Sequence, residues 1–185
     1  MSKYAVKSTG VVGWKYARPA VFLHWLLALM IAGLLALGWY MMSVEDDPGS
    51  EWYFDLHTSL GIIVFGLVSL RIVWRATHRP APLPASLPRW QIKLSQATEW
   101  ALYVCMLLMP ILGFLGASYS KSGVGFFGSR LPAWALPDHA TAELFFGLHS
   151  ALAWVLVACI AVHAAGGLKH LLVDKDNVFQ RMWWS

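Results

Sequence analysis

Charge is scarce in this chain. Asp, Glu, Lys and Arg make up 13% of its 185 residues, against 58% apolar residues, where a soluble domain carries about 25% charged residues. Too little charge is left to cover a water-facing surface of this size. Cysteine is nearly absent. Cys105 and Cys159 both lie inside apolar runs, so no disulfide framework is encoded and each reads as a small buried apolar side chain. No C-x-x-C pair occurs, which removes the common thiolate patterns for zinc and iron–sulfur clusters. The apolar runs hold almost no acidic residue, with Glu99 and Glu143 expected at helix ends, so a carboxylate-rich metal site is excluded as well. Internal repeats and low-complexity tracts are also missing.

What the chain has is long apolar runs. Four of them cover residues 19–42, 53–75, 97–117 and 142–168, each about 20 residues or more and long enough to cross roughly 30 Å of hydrocarbon as a helix. Backbone in lipid must satisfy its own hydrogen bonds, so each run is expected to be helical. The first run is too long for a cleaved signal peptide and lacks a small-residue cleavage site before the charged loop. The expectation is one domain, 1–185: an all-α integral membrane four-helix bundle. The 11 Trp suit the membrane–water boundary, where an apolar ring with one N–H donor is at home.

Lys and Arg set the expected orientation. The N-terminal segment, the second connection with the end of the second run, and the C-terminal tail hold 12 of the 14 basic residues. The first and third connections hold the other two, Lys121 and Arg130, while the first also carries Glu45, Asp46, Asp47 and Glu51. Both termini are therefore expected to be cytoplasmic, in a multi-pass protein of the bacterial inner membrane. The net charge of +4 is a topology signal and calls for no nucleic acid. The second connection is proline-rich and semi-rigid, with Trp90–Ser95 expected as a short surface segment. Gly and Pro in the third connection predict a structured loop with turns.

Histidine carries the functional argument. An imidazole in hydrocarbon is unfavourable without a partner, and His24, His57, His149 and His163 lie within the runs. His78, His139 and His170 lie in loops or at helix ends and read as solvated or interfacial. His24 is six residues past Arg18, and His163 six before Lys169, so both sit about 9 Å in from the cytoplasmic side. His57 and His149 lie near the outer ends of their runs. His149 and His163 are 14 residues apart, which puts them on one face of a helix, separated by about 21 Å along its axis. Two imidazoles at each of two depths suit the opposite axial positions of a haem, whereas zinc wants three or four ligands at one point. No C-x-x-C-H is present, so such haems would be non-covalent. Small residues near the histidines (Gly61, Gly147, Ala151, Ala164, Gly166, Gly167) would admit a flat macrocycle, and they also suit ordinary helix packing. Arg71 and Arg75, one turn apart, could meet haem propionates or simply snorkel to the interface.

In these residues the chain resembles the bacterial cytochrome b561 family, the four-helix di-haem cytochromes of the inner membrane. The likeness runs from Arg18 to about Arg181. It rests on Leu23-His24-Trp25, Leu56-His57-Thr58-Ser59-Leu60-Gly61, Leu70-Arg71-Ile72-Val73-Trp74-Arg75, Pro110-Ile111-Leu112-Gly113, Gly147-Leu148-His149 and Val162-His163. It implies two haem b, with axial pairs His24/His163 and His57/His149. Glu99 departs from the pattern, standing where family members often carry a His. The resemblance implies electron transfer: superoxide or another small donor would be oxidised and ubiquinone reduced, with Lys121 and Arg130 attracting an anionic donor. The acidic first loop argues against a broad positive funnel. Phe126, Phe127 and Trp134 could border a quinone headgroup or anchor the loop at the interface. A different class of role is a membrane-anchor subunit that passes electrons between a redox partner subunit and quinone. A haem carrier or sensor is a third, disfavoured because six-coordinate iron suits electron transfer more than ligand capture.

Overall fold

The computed structural model describes residues 15–84 and 87–184; Lys3 and Lys7 of the charge count lie outside them. Four helices dominate: α1 (Arg18–Ser43), α2 (Glu51–Thr77), α3 (Arg89–Tyr119) and α4 (His139–Lys169). All four are long and apolar enough to cross a bilayer. The fold is an all-α membrane four-helix bundle.

Each helix outruns its apolar run, because backbone hydrogen bonding continues into the polar boundary after hydropathy has stopped. The largest difference is in α3. It starts at Arg89, directly after the extended Pro88, so Trp90–Ser95 is not a separate surface segment but the first turns of this helix. At 31 residues it is about 46 Å long, well over the roughly 30 Å of hydrocarbon. Glu99 correspondingly lies ten residues into α3 rather than at a helix end. Pro19 sits in the first turn of α1, where its missing N–H is no loss. Asp138 caps α4, its carboxylate accepting from the Thr141 N–H at 2.8 Å.

The third connection contains a small hairpin, with β1 (Gly125–Phe126) antiparallel to β2 (Ser129–Arg130). Both turn residues have positive φ, 47° at Phe127 and 80° at Gly128, as a tight hairpin with two central residues requires. Phe127 is an unusual occupant of that conformation. Its N–H donates to Ser59 Oγ at 2.8 Å, which holds the turn against α2.

Helix α1 packs along α2, α2 along α3, and α3 along α4, while α4 has no extensive backbone contact with α1 or α2. The buried core is a thin apolar layer of Leu27, Ile31, Val64, Val68, Cys105 and Leu156. Large apolar side chains cover the outside instead: Leu29 is 74% exposed, Trp154 64% and Val73 62%. Such a surface is a liability in water and the expected one in lipid.

The chain ends meet at one end of the bundle. After α4 a π-helical turn, His170–Asp174, leads to a 3₁₀ turn, Phe179–Met182. The Tyr16 N–H donates to Arg181 O at 3.2 Å, and Trp25 Nε1–H donates to Met182 O at 2.8 Å. This end carries the basic excess and is called the basic end below.

Candidate functional site

The four intramembrane histidines meet across the gap between α4 and the α1–α2 pair. His24 on α1 faces His163 on α4 with ring centres 6.0 Å apart. His57 on α2 faces His149 on α4, also at 6.0 Å. Two imidazoles that each make a bond of about 2 Å to one metal ion have ring centres about 6 Å apart. Leu156, halfway along α4 between its two histidines, belongs to the apolar layer that separates the levels. His78, His139 and His170 do not join these levels.

The far level, His57 with His149, is held by backbone. His149 Nδ1 lies 2.9 Å from Met109 O. A carbonyl only accepts, so Nδ1 carries the proton and Nε2 keeps its lone pair, the tautomer a metal needs. The notch that admits this ring is Met109-Pro110-Ile111-Leu112-Gly113. Pro110 breaks the donor pattern within α3, and a Cβ on Gly113 would stand 3.1 Å from His149 Nδ1. On the other side a Cβ on Gly38 would stand 3.2 Å from His57 Cε1. His57 Nδ1 is buried without a hydrogen-bond partner among the described residues.

The basic-end level, His24 with His163, is set differently. Arg71 Nη1–H donates to Ala20 O at 2.8 Å, and Nη2 reaches toward His24 Nδ1 at 3.5 Å. At 3.5 Å this contact is at the limit of hydrogen-bond length and leaves the His24 tautomer open. Trp25 stands edge-on to the His24 ring at 5.3 Å.

The family model described as prokaryotic cytochrome b561 matches residues 15–185. The chain belongs to the prokaryotic cytochrome b561 family. Among its relatives, cytochrome b561 homolog 2 of Escherichia coli (strain K12) is 31% identical over 173 residues, covering 91% of this chain and 90% of that protein. Cytochrome b561 homolog 1 of the same organism is 26% identical, covering 91% and 96%. A Yersinia pestis protein named "Probable superoxide oxidase CybB" is 25% identical, covering 91% and 95%. Family membership makes this a multi-pass membrane electron-transfer protein with haem b as its cofactor.

The residues present fit such a cofactor. Each level offers two imidazoles across a gap, and His57 Nδ1, buried without a partner among the described residues, marks a polar atom that the protein alone does not satisfy. Nothing stands within 4 Å of a Cβ built on Gly61, Gly147 or Gly166, whereas one on Gly167 would meet Phe179 at 3.6 Å, so three of the glycines singled out in the sequence border open space. The glycines that touch histidines are Gly38 and Gly113. Gly38 carried no signal in the sequence, because its partner lies on another helix; Gly113 belonged to a recognised motif whose purpose shows only once α3 and α4 are packed.

Charges around the levels are mostly committed. Arg75 Nε donates to Glu99 Oε1 at 3.0 Å, with Nη2 at the same distance, so Arg75 reaches another anion only by releasing Glu99. Arg130 is paired with Asp55 at 3.0 Å, so its charge is shared with a carboxylate. Ser59, fully buried, donates from Oγ to Asp55 O at 2.6 Å within α2, so the two residues that hold the hairpin, Ser59 and Asp55, stand two positions either side of His57. Trp134 Nε1–H donates to Ser118 Oγ at 3.1 Å, and Phe127 is 57% exposed, as interfacial anchors would be. His170, read as solvated, is instead bound to Asp176 at 2.7 Å and Asp174 at 3.3 Å, with Lys169 also on Asp174. His170, Asp174 and Asp176 lie close together, with Lys169 paired to Asp174.

At the basic end, burial pushes the Tyr16 hydroxyl above its ordinary pKa and pulls Arg181 below its own. Arg181 lies 5.3 Å from the Tyr16 ring centre and donates to Ala81 O, which pins the C-terminal turn under the proline-rich connection.

Proposed function

We propose that the chain carries electrons across the bacterial inner membrane between a small donor, superoxide among the candidates, and ubiquinone, with two haem b per chain. The observation that supports this best is the pair of histidine pairs, each 6.0 Å between ring centres, stacked at two depths along one helix. His57 and His149 would hold one haem, and His24 and His163 the other. When bound, haem b supplies reversible one-electron chemistry at iron. Arg71, which already reaches across from α2 to the His24 level, would meet a propionate there. The chain's own task is to hold the ligands, to fix the His149 tautomer through Met109, and to keep an apolar layer between the levels. The basic end would be cytoplasmic by the positive-inside rule.

The deciding experiment is anaerobic. Purified protein should show two haems per chain by pyridine haemochrome assay, be reduced by added potassium superoxide, and be reoxidised by added ubiquinone. One haem per chain would overturn the paired levels. Failure of superoxide with success of a co-purifying redox subunit would select the anchor-subunit role. A reporter active only outside the cytoplasm should work when fused after Asp47 and fail after Pro84; the reverse would overturn the orientation.

A further inference from the structure

A cavity of about 230 Å³ opens at the basic end between the start of α1 and the end of α2, lined by Lys15, Tyr16, Trp74, His78 and Arg79 among others. One water needs only about 10–15 Å³ of such space, so the cavity admits a polar group much larger than water. We propose that it binds the phosphodiester headgroup of an anionic membrane lipid.

Charge is the first argument. No acidic residue lines the cavity, and neither Lys15 nor Arg79 has a carboxylate partner among the described residues. The contrast with other cations at this end is sharp, since Arg75 and Lys169 are ion-paired. Two uncommitted cations at the rim of a membrane protein are attracted to anionic headgroups. Guanidinium and ammonium together suit phosphate oxygens, one as a planar fork and one as a mobile point charge.

Rigidity is the second. The His78 ring stacks on Trp74 with centres 4.0 Å apart and planes 5° from parallel. Thr77 Oγ1 lies 2.9 Å from His78 Nδ1. The polar wall is therefore built before any ligand arrives, and less freedom is lost on binding. An apolar path for the lipid chains is the third. Leu70, one turn deeper than Trp74 on the same face of α2, is 52% exposed, and Val73 is 62% exposed. A free phosphate would have no use for that path. A neutral quinone headgroup would have no use for the two cations.

The proposal stands apart from the identity of donor and acceptor. Its test is native mass spectrometry of the full-length, haem-loaded protein, delipidated and titrated with dioleoyl phosphatidylglycerol or dioleoyl phosphatidylcholine. One phosphatidylglycerol should be retained per chain in preference to phosphatidylcholine. The Lys15→Gln/Arg79→Gln variant should bind it at least about tenfold more weakly, as expected for loss of two basic contacts at a membrane surface. Arg89→Gln, a basic residue outside the cavity, should bind as wild type. Unchanged haem absorbance certifies the fold of each variant, and the two single substitutions serve if the double variant is not stable. Equal retention of both lipids, or equal binding by the double variant, would overturn the proposal. So would displacement of the lipid by equimolar inorganic phosphate, which would make the site a free-phosphate site, or by ubiquinone-1, which would make it the quinone's.

Discussion

The two histidine levels have the same spacing between ring centres, 6.0 Å, yet they are prepared in opposite ways. At the far level His149 Nδ1–H donates to a carbonyl, and glycines on α1 and α3 let both rings approach backbone. At the basic end His24 is instead approached by a guanidinium. The far level is fixed by neutral backbone geometry, while the basic-end level sits in the field of a cation. A carbonyl partner raises ligand basicity and locks the ring. A fixed positive charge stabilises whichever state carries the extra electron or the anionic propionate. Two levels built from the same residue type are thus expected to differ in potential, with the basic-end level the stronger electron acceptor. That ordering sends electrons toward the basic end.

The largest expected effect is loss of a level. His57→Ala and His149→Ala should give the same spectrum with half the haem, and His24→Ala and His163→Ala should give the other half. A match between His57→Ala and His24→Ala would break the pairing by depth. His163→Ala should further keep reduction of the remaining haem by the donor while quinone reduction collapses. Wild-type quinone reduction in that variant would place the acceptor at the far level and reverse the comparison.

Next comes the notch. Gly113→Val should push the His149 ring off Met109 O, because even a Cβ there stands 3.1 Å from Nδ1. Haem affinity at the far level should fall about 10–100-fold, the usual cost of losing a supporting contact to a metal ligand. Competition with apomyoglobin would measure it, and an unaltered far-level affinity would remove the backbone account. Arg71→Gln should act only at the other level. Its midpoint potential should fall by some tens of millivolts, where about 59 mV is a tenfold change for one electron. A shift at the far level instead would show that the charge is felt elsewhere.

The smallest effect concerns the start of α4. Hydrogen bonding from Thr141 holds the Asp138 carboxyl below its ordinary pKa. A carboxyl depressed in the folded state contributes stability above its unfolded pKa of about 3.9 and loses it as pH falls through the lower folded value. Hydrogen exchange at 139–142 should therefore be protected at neutral pH and faster in strong acid. Asp138→Ala should show the faster rate at both, and Asp138→Asn should retain most protection, since its amide oxygen still caps.

The spans and the two depths were legible because they depend on local quantities. Twenty apolar residues must become helix in lipid, and a 14-residue step along a helix returns to the same face wherever the helix is placed. Helix ends were less legible. Hydropathy marks where lipid stops and not where hydrogen bonding stops, which is why the first turns of α3 and the position of Glu99 were misread. Partners across helices were not legible at all. The Arg130–Asp55 pair spans 75 residues of sequence, and the role of Gly38 depends on a ring carried by α2.

By itself, then, the sequence determined a four-helix membrane protein with imidazoles at two levels along one face of its last helix, through the fixed rise and rotation of the α-helix. Only the tertiary structure decided how those imidazoles are held. Packing α3 against α4 turned Met109 and Gly113 into the socket for His149, and packing α2 against α1 put Arg71 beside His24. These contacts depend on how far apart the helices stand and how they are rotated, and neither quantity is written in any one segment of the chain.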